Sequence, residues 1–387
     1  MKKFLKTIPM KLWVIVCVLV VFTFFSNDFG LVDIQKTAIV LAAGIDRDEE
    51  GFSLTAQIAV PKGTDRTTGG TSSVEIEGKG TTVSDCITDI YTKTGWVPKL
   101  IYCDLVLLGE TATQQDVFDC LDFFLRNEYI SDSCLLAACE GSANELLSST
   151  SAIDDTSALA LEKLFSDAAK KSGQVMTTTL REFAIGYFGE SKSGYMPYVR
   201  ATQQEGSSQG QGGAQSTGGG DTKQTEKIYS ARETAIFSQG ILAAVLSPEQ
   251  TFAFSLLEGN VYAGTFTVDA KTYVFLKNEG SVDVKSEEIP SISLTASCKV
   301  QLSGEGETAS PEKLAKGELS AEEETRLSEI LTGHLTELWE ACARTDCDLL
   351  FFRRSLRRAS LSQYAAWKDI PLSQIPFTAV IRAESLH

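Results

Sequence analysis

Two runs rich in β-branched and small apolar residues, Lys36–Gly44 and Phe52–Val60, flank the polar stretch Asp46–Gly51 and predict a β-hairpin. Val74 and Ile76 add a strand. Val83, Ile87, Ile90 and Tyr91 fall on one face of a helix over 82–94, and the apolar run Leu100–Leu108 reads as a strand. A helix over Asp116–Arg126, a strand over Cys134–Cys139 and a short helix from Ala143 follow. A hairpin followed by alternating helices and strands makes an α/β or α+β layer of about 115 residues. From Asp154 to Gly186 the spacing is helical, with a break at Gly173.

The pattern then lapses. Thr202–Glu226 holds seven glycines and a single apolar residue, Ala214, too little to order itself by burial, so disorder is expected there. It is either an interdomain linker or a loop within a domain. Strand-like segments on both sides, Pro197–Val199 and Tyr229–Gln239, favour a loop within one sheet. Beyond a short helix from Glu249, three short strands are expected at Val261–Val268, Thr272–Lys277 and Ser281–Lys285. Ser291–Leu302 alternates strictly: Ile292, Leu294, Ala296, Cys298, Val300 and Leu302 face one way, and polar residues the other. That is the mark of an antiparallel sheet with one face covered. The cover is a helix that starts at the capping box Ser320–Glu323 and carries Leu327, Leu331, Leu335, Leu338 and Trp339 as its apolar stripe. A last strand spans Phe377–Ala383. The expected class is α+β and multi-domain: an N-terminal anchor at 1–30, a mixed α/β domain at 31–148, a middle domain at 149–257, and at 258–387 an antiparallel sheet covered by helices.

The N-terminal run changes the picture of compartment. Lys2, Lys3, Lys6 and Lys11 precede fourteen residues, Leu12–Phe25, that are apolar except for Thr23, and Asp28 and Asp33 follow. Basic-before, acidic-after flanks keep the lysines cytoplasmic and export the rest. Fourteen residues are short for a span of roughly 20. Phe24 and Phe25, however, stand where a cleavable signal carries small residues, and counting from Ile8 with Lys11 snorkelling nearly completes a span. An uncleaved anchor is the expectation, formed by Leu12, Trp13, Val14, Ile15, Val16, Cys17, Val18, Leu19, Val20, Val21, Phe22, Phe24 and Phe25. Val16 precedes Cys17 and the apolar run continues past it, so lipidation there is not expected.

Charge and chemistry narrow the function. Against 51 Asp and Glu stand 35 Lys and Arg, four of them before residue 12. Taking those four from the net −16 leaves the exported part near −20, which repels nucleic acid. The two histidines, His334 and His387, leave nothing to build a His-based triad or a multi-His zinc site, and the nine cysteines include no C-x-x-C pair. Scattered buried thiols are expected. Gly304–Ala309 imitates a dinucleotide fingerprint, but Ser310-Pro311 follows where the motif needs a helix, so it reads as an exposed turn. Asp346, Asp348 and Trp367–Asp369 read as C-terminal packing. No catalytic, cofactor or metal residue is assigned. Arg353, Arg354, Arg357 and Arg358 form the one dense basic cluster, either a solvated helix end or a contact for a headgroup, wall polymer or acidic partner.

The order of segments resembles the Ger(x)C spore germination proteins, the C-type subunits of germinant receptors. The resemblance rests on Ile39–Asp46 with Thr55–Pro61, Leu105–Glu110, Phe123–Arg126, Gly141–Leu147, Ala235–Phe237 with Leu242–Leu246 and Glu249, and finally Asp348 through Trp367–Asp369. It implies three mixed α/β domains outside the inner spore membrane, no enzymatic activity, and work beside A-type and B-type integral membrane subunits. Members of that family are typically lipoproteins with a cysteine just ahead of the first strand; here the apolar anchor takes its place. Two other classes stay open. A secreted wall-directed enzyme would need a convergent polar site, and a solute-binding protein would need a cleft between two Rossmann-like lobes, which the antiparallel C-terminal pattern disfavours.

Overall fold

Leu105–Leu108 is apolar at every position, as strands covered on both faces are, and all four side chains are buried. They lie in the middle of the larger of two sheets in the computed structural model, which describes residues 10–25, 37–60, 72–151, 154, 156–203, 226–304 and 318–386. The elements run α1 (Met10–Phe25), β1 (Thr37–Arg47), β2 (Phe52–Val60), β3 (Ser72–Gly80), α2 (Val83–Thr94), β4 (Val97–Lys99), β5 (Leu105–Leu108), α3 (Glu110–Thr113), α4 (Phe118–Arg126), β6 (Leu135–Cys139), α5 (Ala143–Leu147) and β7 (Thr150–Ser151). Then come α6 (Ser157–Leu164), α7 (Asp167–Lys171), β8 (Thr178–Thr179), α8 (Leu180–Phe188), β9 (Ser193–Gln203), β10 (Glu226–Ser238), β11 (Ile241–Leu246) and α9 (Pro248–Leu257). The chain ends with β12 (Gly264–Val268), β13 (Lys271–Lys285), β14 (Ser291–Gly304), α10 (Ala321–Thr345), α11 (Phe352–Ala359), α12 (Leu361–Trp367) and β15 (Phe377–Ser385).

The large sheet has the order β11-β10-β9-β6-β5-β1-β2-β3. Its centre, β1, β5, β6 and β9, is parallel, and the hairpins β1–β2–β3 and β9–β10–β11 extend it antiparallel on both sides. Parallel strands need helical crossovers, which cover both faces. On one face α2, α4 and α8 pack through Ile90, Leu121 and Phe183 against Val40, Val106 and Leu136. On the other, α5 and α6 pack through Leu147 and Leu161 against Ala42, Leu107 and Ala137. The segment Leu100–Leu108 is not one strand: Leu100–Tyr102 is a 3-10 turn that separates β4 from β5. The stretch from Asp154 to Gly186 breaks into the short helices α6 and α7, the two-residue strand β8 and α8. The Gly-rich stretch is flanked by paired strands, with Gln203 opposite Lys227, and residues 204–225 lie outside the described ones.

The small sheet, β12-β13-β14-β15, corrects two expectations. First, it is not wholly antiparallel: β15 runs parallel to β14, because α10, α11 and α12 form a crossover that returns the chain to the end from which β14 started. Second, Thr272–Lys277 and Ser281–Lys285 are parts of one continuous strand, β13. The turn-like residues between them receive α9. Asn278 is buried, donates to the Leu256 carbonyl and accepts from Val261 N–H at 2.8 Å. A Cβ on Gly280 would lie 1.7 Å from the Leu257 carbonyl oxygen. Every residue from Thr251 to Leu257 in α9 is buried, since this helix is wedged between the two sheets.

Helix α10 covers the small sheet with the predicted stripe and also runs along the outer edge of β15. Its side chains are spaced four residues apart and meet alternate residues of the strand: Glu324 accepts from Ser385 N–H at 2.6 Å, Ser328 from Ala383 N–H at 2.9 Å and Thr332 from Ile381 N–H at 2.9 Å. Four helical residues rise about 6 Å and two strand residues about 6.6 Å, so the two periods match over three rungs. Ser328→Ala would leave the buried Ala383 N–H without its acceptor, an expected loss of about 1–3 kcal/mol in urea unfolding. An unchanged unfolding midpoint would show that the rung carries no weight.

The apolar run at the N-terminus forms α1, 16 residues and roughly 24 Å long, with the side chains of residues 12–21 exposed. Among the described residues no helix is long and apolar enough to cross a membrane.

Candidate interaction site

Two buried or half-buried aspartates organise the motifs that the sequence pattern singled out. Asp46, at the end of β1, accepts from Ser142 Oγ at 2.8 Å and from the backbone N–H groups of Ala143 and Asn144 at 2.9 and 3.0 Å. A carboxylate on the first turn of α5 is favoured by its free N–H groups, and this one ties Ile39–Asp46 to Gly141–Leu147. Asp348 does the same for the C-terminal segment. Its carboxylate accepts from Phe352 N–H at 2.7 Å, Arg353 N–H at 2.9 Å and Ser191 Oγ at 2.6 Å, the last from the turn before β9. Cys347, buried just past the end of α10, donates to the Phe237 carbonyl. These contacts lock the C-terminal helices onto the leading end of β9 and the trailing end of β10.

Burial pushes the Asp348 carboxyl up to about 6 against an ordinary value of 3.8, outweighing the Ser191, Arg353 and Phe352 donors that favour its charge. A raised folded-state pKa means that the folded chain binds this proton more tightly than the unfolded one. The contribution is therefore most favourable below about pH 4 and is lost as pH rises through about 6. Relative to Asp348→Asn, the native protein should lose on the order of 2–3 kcal/mol of unfolding free energy between pH 4 and 7. Parallel stability profiles of the two proteins over that range would refute the assignment.

The arginine cluster divides. Arg353 points inward: its guanidinium donates to both Asp346 oxygens at 2.9 and 3.0 Å, to the Lys368 carbonyl at 2.9 Å and to the Ile370 carbonyl at 3.3 Å. It is 8% exposed. Arg354, Arg357 and Arg358, at i, i+3 and i+4, share the outer face of α11. With Glu190, Ser360 and Leu361 they line an open cleft of about 620 Å³. Arg357 is ion-paired with Glu190 and lies 5.9 Å from the Tyr364 ring centre, and Arg354 lies 5.8 Å from that of Phe351. Glu190 is held below the usual carboxylate range by its own backbone N–H and then by Arg357 and Arg354. Arg354 and Arg358 make no ion pair among the described residues, so the cleft presents excess positive charge to an anionic group. A second recess of about 370 Å³ adjoins it across Glu190. Three of its residues, Lys192, Gln239 and Asp346, have φ near +50°.

Sequence spacing does not set Arg353 apart, since it stands at i, i+4 from Arg357; its burial becomes visible only in the structure, and Glu190 and Ser191, more than 150 residues away, carry no local signal. Asp346 and Asp348 serve packing, whereas Asp369 is exposed beside Lys368 at 3.9 Å. The anchor candidates Leu12–Val21 stand exposed along α1; the side chains of Phe22, Phe24 and Phe25 lie outside the described ones. Among the described residues no group of three or more His, Cys, Asp or Glu is placed to hold a metal ion. His334 sits 3.3 Å from Glu337 on α10.

Residues 31–201 match the family model described as the spore germination protein N-terminal domain, and residues 232–381 match the one described as spore germination B3/GerAC-like, C-terminal. No curated protein matches the sequence. The crystal structure of the GerBC protein is similar over 89% of this chain and 97% of that one, with a TM-score of 0.51 at 16% identity. At that identity the likeness speaks for the fold.

Proposed function

The chain belongs to the Ger(x)C family of spore germination proteins, and on that premise we propose that it is a non-catalytic, extracytoplasmic C-type subunit of a nutrient germinant receptor. The observation that carries the reading is the match of both parts of the chain, in order, to spore germination domains. In this reading Leu12–Phe25 holds the protein at the inner spore membrane with its lysines cytoplasmic, and the globular part stands outside beside A-type and B-type membrane subunits. The outward arginines Arg354, Arg357 and Arg358 supply a contact for an acidic surface of those partners. Arg353 supports them from within through Asp346.

Spores lacking the protein should fail to respond to one set of nutrient germinants while still germinating with triggers that bypass receptors. A normal response to every nutrient, in a strain without a redundant receptor, would overturn the assignment. Reversing the charge of Arg354, Arg357 and Arg358 together should weaken co-purification with the membrane subunits, more at low salt than at high salt, because exposed charges are screened beyond about 10 Å at 0.1 M. Equal recovery at both salt concentrations would remove this face from the interface.

A further inference from the structure

The strands β1, β4, β5 and β6 run parallel, so the segments leading into them gather at one end of the large sheet. Trp96 leads into β4, Ile101 and Tyr102 into β5, and Tyr129 into β6. Thr37, the first residue of β1, pairs with Val97, Ile39 lies between Lys99 and Ala59, and Val60 closes β2 at the same end. Ile101, Tyr102 and Tyr129 are 56%, 57% and 54% exposed, and Trp96 is 47% exposed. Ile39 and Val60 are also exposed. Lys99 lies over the Tyr129 ring, 5.5 Å from its centre, so the end of the sheet carries amphipathic aromatics with a cation among them.

The chain reaches this same end from α1. Only residues 26–36 separate Phe25 from Thr37, and at about 3.5 Å per residue they span at most roughly 40 Å. The opposite end of the sheet, where the exposed turn 48–51 joins β1 to β2, is a further 11 residues of β1 away, or roughly 36 Å.

We propose that the ring of Trp96, Ile101, Tyr102, Tyr129, Ile39 and Val60 docks the globular part onto the lipid surface, with its rings at headgroup depth. This rests on reading Leu12–Phe25 as a membrane anchor. Trp and Tyr settle at the membrane–water boundary because one end of each ring is apolar and the other is wet. A short tether makes the docking intramolecular, so a patch too small to bind free vesicles suffices. Glu128 and Asp132 flank Tyr129 in sequence, so the surface fits neutral lipid and its docking is insensitive to salt.

The test uses the full chain in phosphatidylcholine vesicles. Cys17→Ser leaves only cysteines that are buried, and a fluorophore is then attached at Ile101→Cys or Tyr129→Cys, with Glu49→Cys in the 48–51 turn as the comparison. The labels at 101 and 129 should be several-fold less quenched by iodide than the label at 49, and quenched by brominated lipid where the label at 49 is not. If the chain is stripped from the vesicles by alkaline washing, the anchor reading fails. If it stays and the labels at 101 and 49 are equally open to iodide, docking alone is refuted. Shielding that arises only when the membrane subunits are reconstituted alongside would assign the patch to protein and likewise overturn the lipid contact.

Discussion

Leu331→Asp is expected to lower the unfolding free energy by about 4 kcal/mol or more, combining a lost buried side chain with an unpaired charge in an apolar site. Leu331 is fully buried on α10 in the cluster that joins that helix to Ile292, Leu294 and Val300 of β14. The same cluster takes in Phe252 and Phe254 of α9, so the damage should extend to the helix wedged between the sheets. Thermal or urea unfolding measures it, and a midpoint equal to that of the native protein would mean that α10 does not cover the small sheet.

Arg353→Ala should cost about 1–3 kcal/mol, because it takes the donor from the Lys368 and Ile370 carbonyls, whereas Asp346 is half exposed and keeps its bond from Leu372 N–H. By contrast, Arg358→Ala, on the exposed side of the same helix, should change stability by no more than about 0.5 kcal/mol. The two substitutions remove the same charge from positions five residues apart, so the difference isolates location from chemistry. Equal effects would place Arg353 at the surface with the others. For work on partner binding the consequence is practical: reversing all four arginines together would confuse unfolding with a lost contact.

Much of the fold was legible because burial imposes periodicity. The alternation from Ile292 to Leu302 marked β14, and the Ser320–Glu323 box marked the start of α10, where the structure has both of its reciprocal bonds. Strand direction was not legible: alternation of faces is the same in either sense, and only the three-helix crossover makes β15 parallel to β14. Asn278 and Gly280 misled for a different reason. Residues that favour turns were read as a break in a strand, whereas they are there because the end of α9 presses on the backbone of β13. The site followed the same division. Helical spacing joins all four arginines, Arg353 to Arg357 and Arg354 to Arg358 at i, i+4, and does not say which of them is buried; their carboxylate neighbour Glu190 comes from the turn between α8 and β9, and no local pattern predicts a tertiary encounter of that kind.

The side-chain ladder from α10 to β15 bears on what the small sheet can recruit. A strand edge with free N–H groups is a template for another chain, in register or out of it. Along β15 those groups at Ile381, Ala383 and Ser385 are already taken by Thr332, Ser328 and Glu324, so the sheet cannot be extended past its last strand without first lifting a 25-residue helix. That seal prevents the C-terminal strands of neighbouring copies from zipping together, and it leaves as the small sheet's other edge the five-residue strand β12 and the part of β13 beyond Phe275 that no described strand pairs on that side.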